Sequence, residues 1–129
     1  MQRLLLDTHT FLWWVDDAPE LSTAVRRAIA DASNECFLSM ASCWEMAIKS
    51  NLGKLKLAKP VEGFISEQLI ANGFTLLHIE LRHMAKIEKM PFHHRDPFDR
   101  LLIAQAISEK LTLVSADGVF SEYGVKVIW

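Results

Sequence analysis

The sequence predicts an α/β fold: a central, mostly parallel sheet of about five strands with helices on both faces. Two observations lead there. Short apolar runs alternate along the chain with segments of helical periodicity, and that alternation builds parallel sheets through crossover helices. The chain has 129 residues, half of them hydrophobic and 23% charged, which fits one domain with an ordinary core. A chain of this length buries enough apolar surface to fold without a disulfide or structural metal.

The elements follow in order. "RLLL", 3–6, reads as a buried strand that ends at Asp7. "THTFLWWVDD" continues as a helix, with Phe11, Leu12 and Val15 at helical spacing and Pro19 marking the break after it. Residues 22–33 form a second helix with Ser22 as its N-cap. "ECFLS", 35–39, is a strand. The segment 40–53 is a helix, and Gly53 signals its C-terminus. "KLKLAKP" connects it to a helix that starts at Pro60 and stops at Gly73. A strand, 74–79, and a helix ended by Pro91 come next. Asp96 caps the following helix, with Pro97 at its first position. The strand "LTLVS", 111–115, the segment "ADGVFSEYG" and a last strand, "VKVIW", complete the chain. In parallel sheets ligands bind beyond the carboxyl ends of the strands, so strand-end residues are the first to inspect.

Bulk properties exclude several classes. The net charge is −2, so any nucleic-acid binding needs a local basic patch. Cys36 and Cys43 sit in apolar stretches with no metal-binding spacing, which predicts two free thiols in a reducing, cytoplasmic setting. The N-terminus has no signal-peptide pattern, and no apolar run is long enough to span a membrane.

Four carboxylates carry the functional signal. Asp7 follows the first strand, where it serves either as an N-cap or as a site acid. Glu45 lies between Trp44 and Ile48; the stripe Ala41, Trp44, Ile48, Leu52 is expected to be the buried face of its helix. Asp99 is one turn before Leu102 and Ile103, in an apolar stripe completed by Ala106 and Ile107. The helix N-terminus favours its charge by roughly 0.3–1 kcal/mol, less than burial costs, so it needs a partner. Asp117 follows the strand 111–115 and could equally shape a turn. Four clustered carboxylates raise one another's pKa, and a divalent cation relieves them. Oxygen ligands favour Mg²⁺ or Mn²⁺ over zinc, and such ions accompany phosphodiester hydrolysis by activated water.

"LLLDTHTFLWW", "LSMASCWEMAIKSNLGKL", "HHRDPFDRLLIAQA" and "LTLVSADGVF", with the ending "YGVKVIW", resemble the PIN-domain nucleases, and among them the VapC-type toxins of toxin–antitoxin pairs. The resemblance spans essentially the whole chain, 1–129, as one domain. It implies a three-layer α/β/α fold and a Mg²⁺- or Mn²⁺-dependent endoribonuclease. It assigns the catalytic and metal-holding acids to Asp7, Glu45, Asp99 and Asp117, with Asp7 and Asp99 closest to the ion. Ser115 stands where the family often has Thr and keeps the hydroxyl. The resemblance also implies a homodimer and a small DNA-binding antitoxin as partner.

Around these acids, Thr8, Ser39 and Ser42 are candidates to orient the carboxylates or to cap helices. Two basic clusters could hold RNA phosphates: the run 49–59, with Lys49 and Lys54, and the group His93, His94, Arg95 and Arg100. Adjacent His93 and His94 are expected to point apart, and no HExxH spacing supports zinc. Trp13, Trp14 and Trp44 are expected to pack in the core or an interface, and Trp129 to seal the sheet. Two other readings use the same acids: a non-toxin RNA-processing or RNA-binding domain, and a receiver-like phosphoryl-accepting domain. The latter wants an acidic pair after the first strand, where this chain has "DTHT".

Overall fold

The first strand, β1 (Arg3–Leu6), has no apolar residue in solvent: Leu4, Leu5 and Leu6 are fully buried. A strand buried on both sides belongs in the middle of a sheet covered on both faces. The computed structural model, which describes residues 1–129, has that arrangement. The other strands are β2 (Glu35–Ser39), β3 (Thr75–Leu77), β4 (Thr112–Val114) and β5 (Val127–Ile128). All pairings are parallel, in the order β3-β2-β1-β4-β5. Leu5 is flanked by Phe37 on one side and Leu113 on the other. The strands β3 and β4 are shorter than the apolar runs that contain them. Phe74 and Leu111, just outside β3 and β4, still bury their side chains in the core.

Six α-helices cover the sheet: α1 (Thr8–Val15), α2 (Thr23–Ala30), α3 (Met40–Asn51), α4 (Val61–Asn72), α5 (Leu81–Glu88) and α6 (Pro97–Glu109). A 3₁₀ turn, Gly118–Tyr123, leads to β5. Alternation along β1 splits the core. Leu4 and Leu6 pack with Phe11 of α1, Val25 and Ile29 of α2, and Phe64 of α4. Leu5 faces the other layer, with Leu101, Leu102 and Ile103 of α6 and Phe120 of the 3₁₀ turn. Both cysteines are free, and burial pushes each thiol up to about 11.

The expected buried stripe of α3 is a correction. Trp44, Ile48 and Leu52 are 54%, 36% and 59% exposed. The buried face instead carries Ala41, Ser42, Glu45 and Met46. Helical spacing identifies an apolar stripe without saying what covers it, and here the core side of α3 is built from small and polar residues. Trp44 packs edge-on against Phe98, ring centres 5.0 Å apart. Trp13 and Trp129 are in contact, ring centres 5.7 Å apart, and Trp129 stays 37% exposed.

His83 ties α5 to α6. The Glu80 backbone N–H donates to His83 Nδ1 at 3.0 Å, so the ring proton sits on Nε2 and faces Glu109 Oε2 at 2.9 Å. Both ring nitrogens are thus engaged, and Glu80, His83 and Glu109 form a structural clasp. The His83 bond, helped by Arg82, holds the Glu109 carboxyl below its usual range. His83→Ala leaves a cavity and an uncapped helix, and is expected to cost about 2–3 kcal/mol in urea unfolding at pH 7. A carboxylate with a depressed folded pKa contributes stability above its unfolded value, near 4.5 here, and loses it as pH falls through the folded value. The gap between wild type and variant should therefore narrow below about pH 4.

Candidate metal centre

Strand order reverses between β1 and β4: from β1 the chain winds outward to β3, then returns to add β4 and β5 on the other side. A crevice opens at the carboxyl ends of such a pair. Asp7 leaves β1 at this point, and Ser115 and Asp117 leave β4.

Asp7 has two engaged oxygens. Oδ1 accepts the Thr10 N–H at 2.8 Å and caps α1, and Oδ2 accepts the Ser115 hydroxyl at 2.6 Å. The cap and the site are therefore the same carboxylate seen from two sides. Glu45, 6% exposed, accepts the Thr8 hydroxyl on Oε1 at 2.7 Å and the Lys49 ammonium on Oε2 at 2.7 Å. The Glu45–Lys49 spacing is the i,i+4 step that puts two side chains on one helix face. Asp96 Oδ1 accepts the N–H groups of Phe98 and Asp99, at 2.9 and 3.0 Å, and starts α6. Asp99 is thereby held in the first turn, and its Oδ2 meets His94 Nε2 at 2.8 Å. Asp117 caps the 3₁₀ turn through the Val119 N–H at 3.0 Å, and its own N–H donates to Ser115 Oγ at 3.0 Å.

These groups meet in one polar recess of about 120 Å³, lined by Asp7, Thr8, His9, Glu45, Lys49, Asp96, Asp99, Asp117 and Phe120. Five of the nine are acids and one is a lysine. The imbalance is visible at Asp99. Burial, with the charges of Asp96 and Glu45 behind it, pushes its carboxyl up to about 6, against the pull of the His94 hydrogen bond. A carboxylate-rich recess with uncompensated charge fits a hard divalent cation, and the oxygen donors match Mg²⁺ or Mn²⁺. His94, Asp99 and Asp117 also offer ligand atoms within 4.8 Å of one another at the rim.

The hydroxyls divide. Thr8 and Ser115 donate to Glu45 and Asp7. Ser39 Oγ instead bonds Gln105 Oε1 and caps α3 through the Ala41 N–H. Ser42 Oγ is buried without a partner. The basic residues divide too. Lys49 and His94 sit at the acids. Arg100 is turned away: its guanidinium lies over the Phe92 ring at 4.7 Å and reaches the Pro91 and His94 carbonyls at 3.3 Å. Arg95 lines a separate apolar recess with Trp44 and Phe92, and Lys54 stands exposed on the connector after α3. His93 and His94 do point apart, His93 packing on Tyr123. Sequence reasoning had Asp99 without a protein partner and read the neighbouring His94 as a group for RNA, whereas it bonds the Asp99 carboxylate five residues away. It also passed over His9, which lies in the recess wall.

The PIN-domain family model matches residues 4–126. The chain belongs to the PIN-domain family. Among curated proteins, this PIN domain is 31% identical over 118 residues to Ribonuclease VapC22 of Mycobacterium tuberculosis, covering 91% of this chain and 88% of the relative. It is also 31% identical to Ribonuclease VapC16 of the same organism, over 68 residues, or 53% of this chain and 48% of the relative. The PIN fold recurs in solved structures. VapBC2 from Rickettsia felis, bound to a DNA fragment from its promoter, superposes with a TM-score of 0.73 at 14% identity, covering 98% of both chains. DNA-bound VapBC from Salmonella typhimurium superposes at 0.72 and 16% identity, covering 99% of this chain and 98% of that one.

Proposed function

We propose that residues 1–129 form a single PIN domain acting as a Mg²⁺- or Mn²⁺-dependent endoribonuclease, the toxin of a toxin–antitoxin pair. One observation carries this reading: four acids from distant parts of the sequence converge, with charge to spare, in a recess at the sheet's switch point. Asp7, Glu45, Asp99 and Asp117 are the residues that would hold the ion. When bound, a divalent cation lowers the pKa of water and offsets charge on a phosphodiester under attack. The chain's own groups do the positioning. Ser115 fixes the Asp7 carboxylate and Thr8 fixes Glu45, so neither acid must reorganise when the ion enters. Lys49 and His94 stand at the rim, where a phosphate backbone would approach. No protein nucleophile is needed, and the products expected are a 5′-phosphate and a 3′-hydroxyl.

The partners follow from the same reading. Relatives of this chain are named ribonucleases, and similar folds occur in complexes named VapBC. A small DNA-binding antitoxin is thus the proposed neutralising partner, and the cytoplasm the proposed setting. No helix is long and apolar enough to cross a membrane. The exposed α3 stripe is the proposed face for a second copy of the chain.

The test is direct. Purified protein should cut single-stranded RNA in Mg²⁺ or Mn²⁺, lose cleavage in EDTA, and regain it when the metal is restored. Cleavage that continues in EDTA would overturn the metal role, and no cleavage with either ion would overturn the nuclease. Expression should arrest growth, and co-expression of the antitoxin should relieve it.

A further inference from the structure

Beside the acidic recess lies a second, larger groove of about 400 Å³ between α1, the connector after α3, and α4. Its volume is that of a small-ligand cleft. Along the connector "KLKLAK", Leu55 and Leu57 are half-buried against the core and line the groove, Lys54 and Lys56 are exposed, and Lys56 also borders the groove. Lys54 and Lys56 make no ion pair, and Lys59 pairs with Glu67. The opposite wall carries His9 and Trp13 beside Leu12 and Val15, with the exposed Asp16 at its end. His9 is exposed and stacks on Trp13, one helical turn on, with ring centres 5.6 Å apart and planes 27° from parallel. His9 belongs to both walls: it lines this groove and the acidic recess.

We infer that this groove is a nucleobase subsite, taking the base of a nucleotide next to the scissile phosphate, with His9 and Trp13 as its stacking platform. The inference rests on the ribonuclease reading of the adjacent acids. An apolar wall with a stacked His9–Trp13 pair, bordered by the unpaired Lys56 on the connector side away from Asp16, matches a nucleotide, whose base has a stacking face and whose backbone is anionic. Continuity through His9 fixes which nucleotide it is. A strand with one phosphate at the acids has its neighbouring base within reach of the groove. Stacking on aromatics tolerates any base, so the subsite sets affinity more than sequence. Lys56 would hold the backbone by charge alone, so its contribution should fade with salt.

The experiment is a cycle between protein and substrate. A single-stranded RNA decamer is made intact and with an abasic nucleotide at each position in turn, and tested with wild type, His9→Ala and Lys56→Ala. Binding is read by fluorescence anisotropy in EDTA, and cleavage in Mg²⁺. One abasic position next to the cut bond should weaken binding to wild type and raise KM by roughly tenfold, with kcat little changed. In His9→Ala that same substitution should cost almost nothing further, because base and platform are lost together. Lys56→Ala should weaken binding of every decamer alike. The inference is overturned if the His9 and abasic effects multiply independently, or if no abasic position weakens binding. It is equally overturned if His9→Ala binds RNA normally but loses affinity for the antitoxin, which would make the groove a protein-docking site. Failure of cleavage with base-dependent binding intact would instead strike the ribonuclease reading alone.

Discussion

Asp99→Asn is expected to reduce RNA cleavage by roughly 100-fold or more while raising the stability of the metal-free protein. The two effects have one cause. The charge of Asp99 is poorly compensated in the recess, its carboxyl standing at about 6 because burial and the neighbouring Asp96 and Glu45 oppose ionisation. A carboxyl raised from 3.8 in the unfolded chain binds more protons when folded, so stability falls as pH rises from about 4 to about 6. The full shift corresponds to at most about 3 kcal/mol, and a side chain 25% exposed should realise on the order of half of that. Melting in EDTA should show the wild type losing stability between pH 4 and 7, and the variant staying nearly flat. The Asn amide keeps the shape and can still face His94, so circular dichroism should be unchanged. Divalent metal should raise the wild-type Tm at pH 7 and leave the variant's almost unmoved. Wild-type cleavage by the variant, or an unaltered pH profile, would remove Asp99 from the site.

Trp44→Glu combined with Leu52→Glu is expected to abolish the proposed pairing of two copies of the chain. The α3 stripe continues from Trp44 into an apolar recess of about 440 Å³ bordered by Ile79, Met84 and Phe92. Phe92 is 70% exposed. Such a contiguous patch on one face marks an interaction surface. A stable interface buries roughly 800 Å² per partner, and its energy concentrates in central aromatic anchors such as tryptophan. Two carboxylates placed there, each desolvated on association, should weaken pairing by at least about 100-fold. Sedimentation or light scattering should report a dimer for wild type and a monomer for the double variant, both folded. A monomeric wild type, or a variant that still pairs, would show that this face is not the contact between copies.

Much of the fold was legible because it rests on local signals. Alternating apolar runs and helical periods identify a parallel sheet, and Ser22, Asp7 and Asp96 start their helices as their chemistry suggests. The acids were legible for a related reason: each stands at a strand end or on a helix face where a lone carboxylate is costly. Contacts made across the fold were not. Nothing near Trp44 says that α3 turns its largest side chains outward, because that depends on what the other elements leave uncovered. The Thr8–Glu45 and Ser115–Asp7 bonds join residues 37 and 108 positions apart, and only the assembled sheet reveals them. Lys49 was read as a free cation for RNA, whereas its distance of four from Glu45 already allowed the ion pair that forms. The groove wall made by Leu55 and Leu57 was invisible while their segment counted only as a connector.

The order of the strands has a temporal side. The centre of the sheet is closed by a distant part of the chain: β4 lies beside β1 after more than 100 intervening residues, and with it come Ser115 and Asp117. During synthesis the amino-terminal two thirds of the chain can gather β1, β2, β3 and the helices between them. The acidic recess nevertheless lacks a wall until the segment carrying Ser115 and Asp117 has docked. Until β4 docks there is no complete set of acids to receive a cation, so binding an ion at this recess and closing the middle of the sheet are coupled.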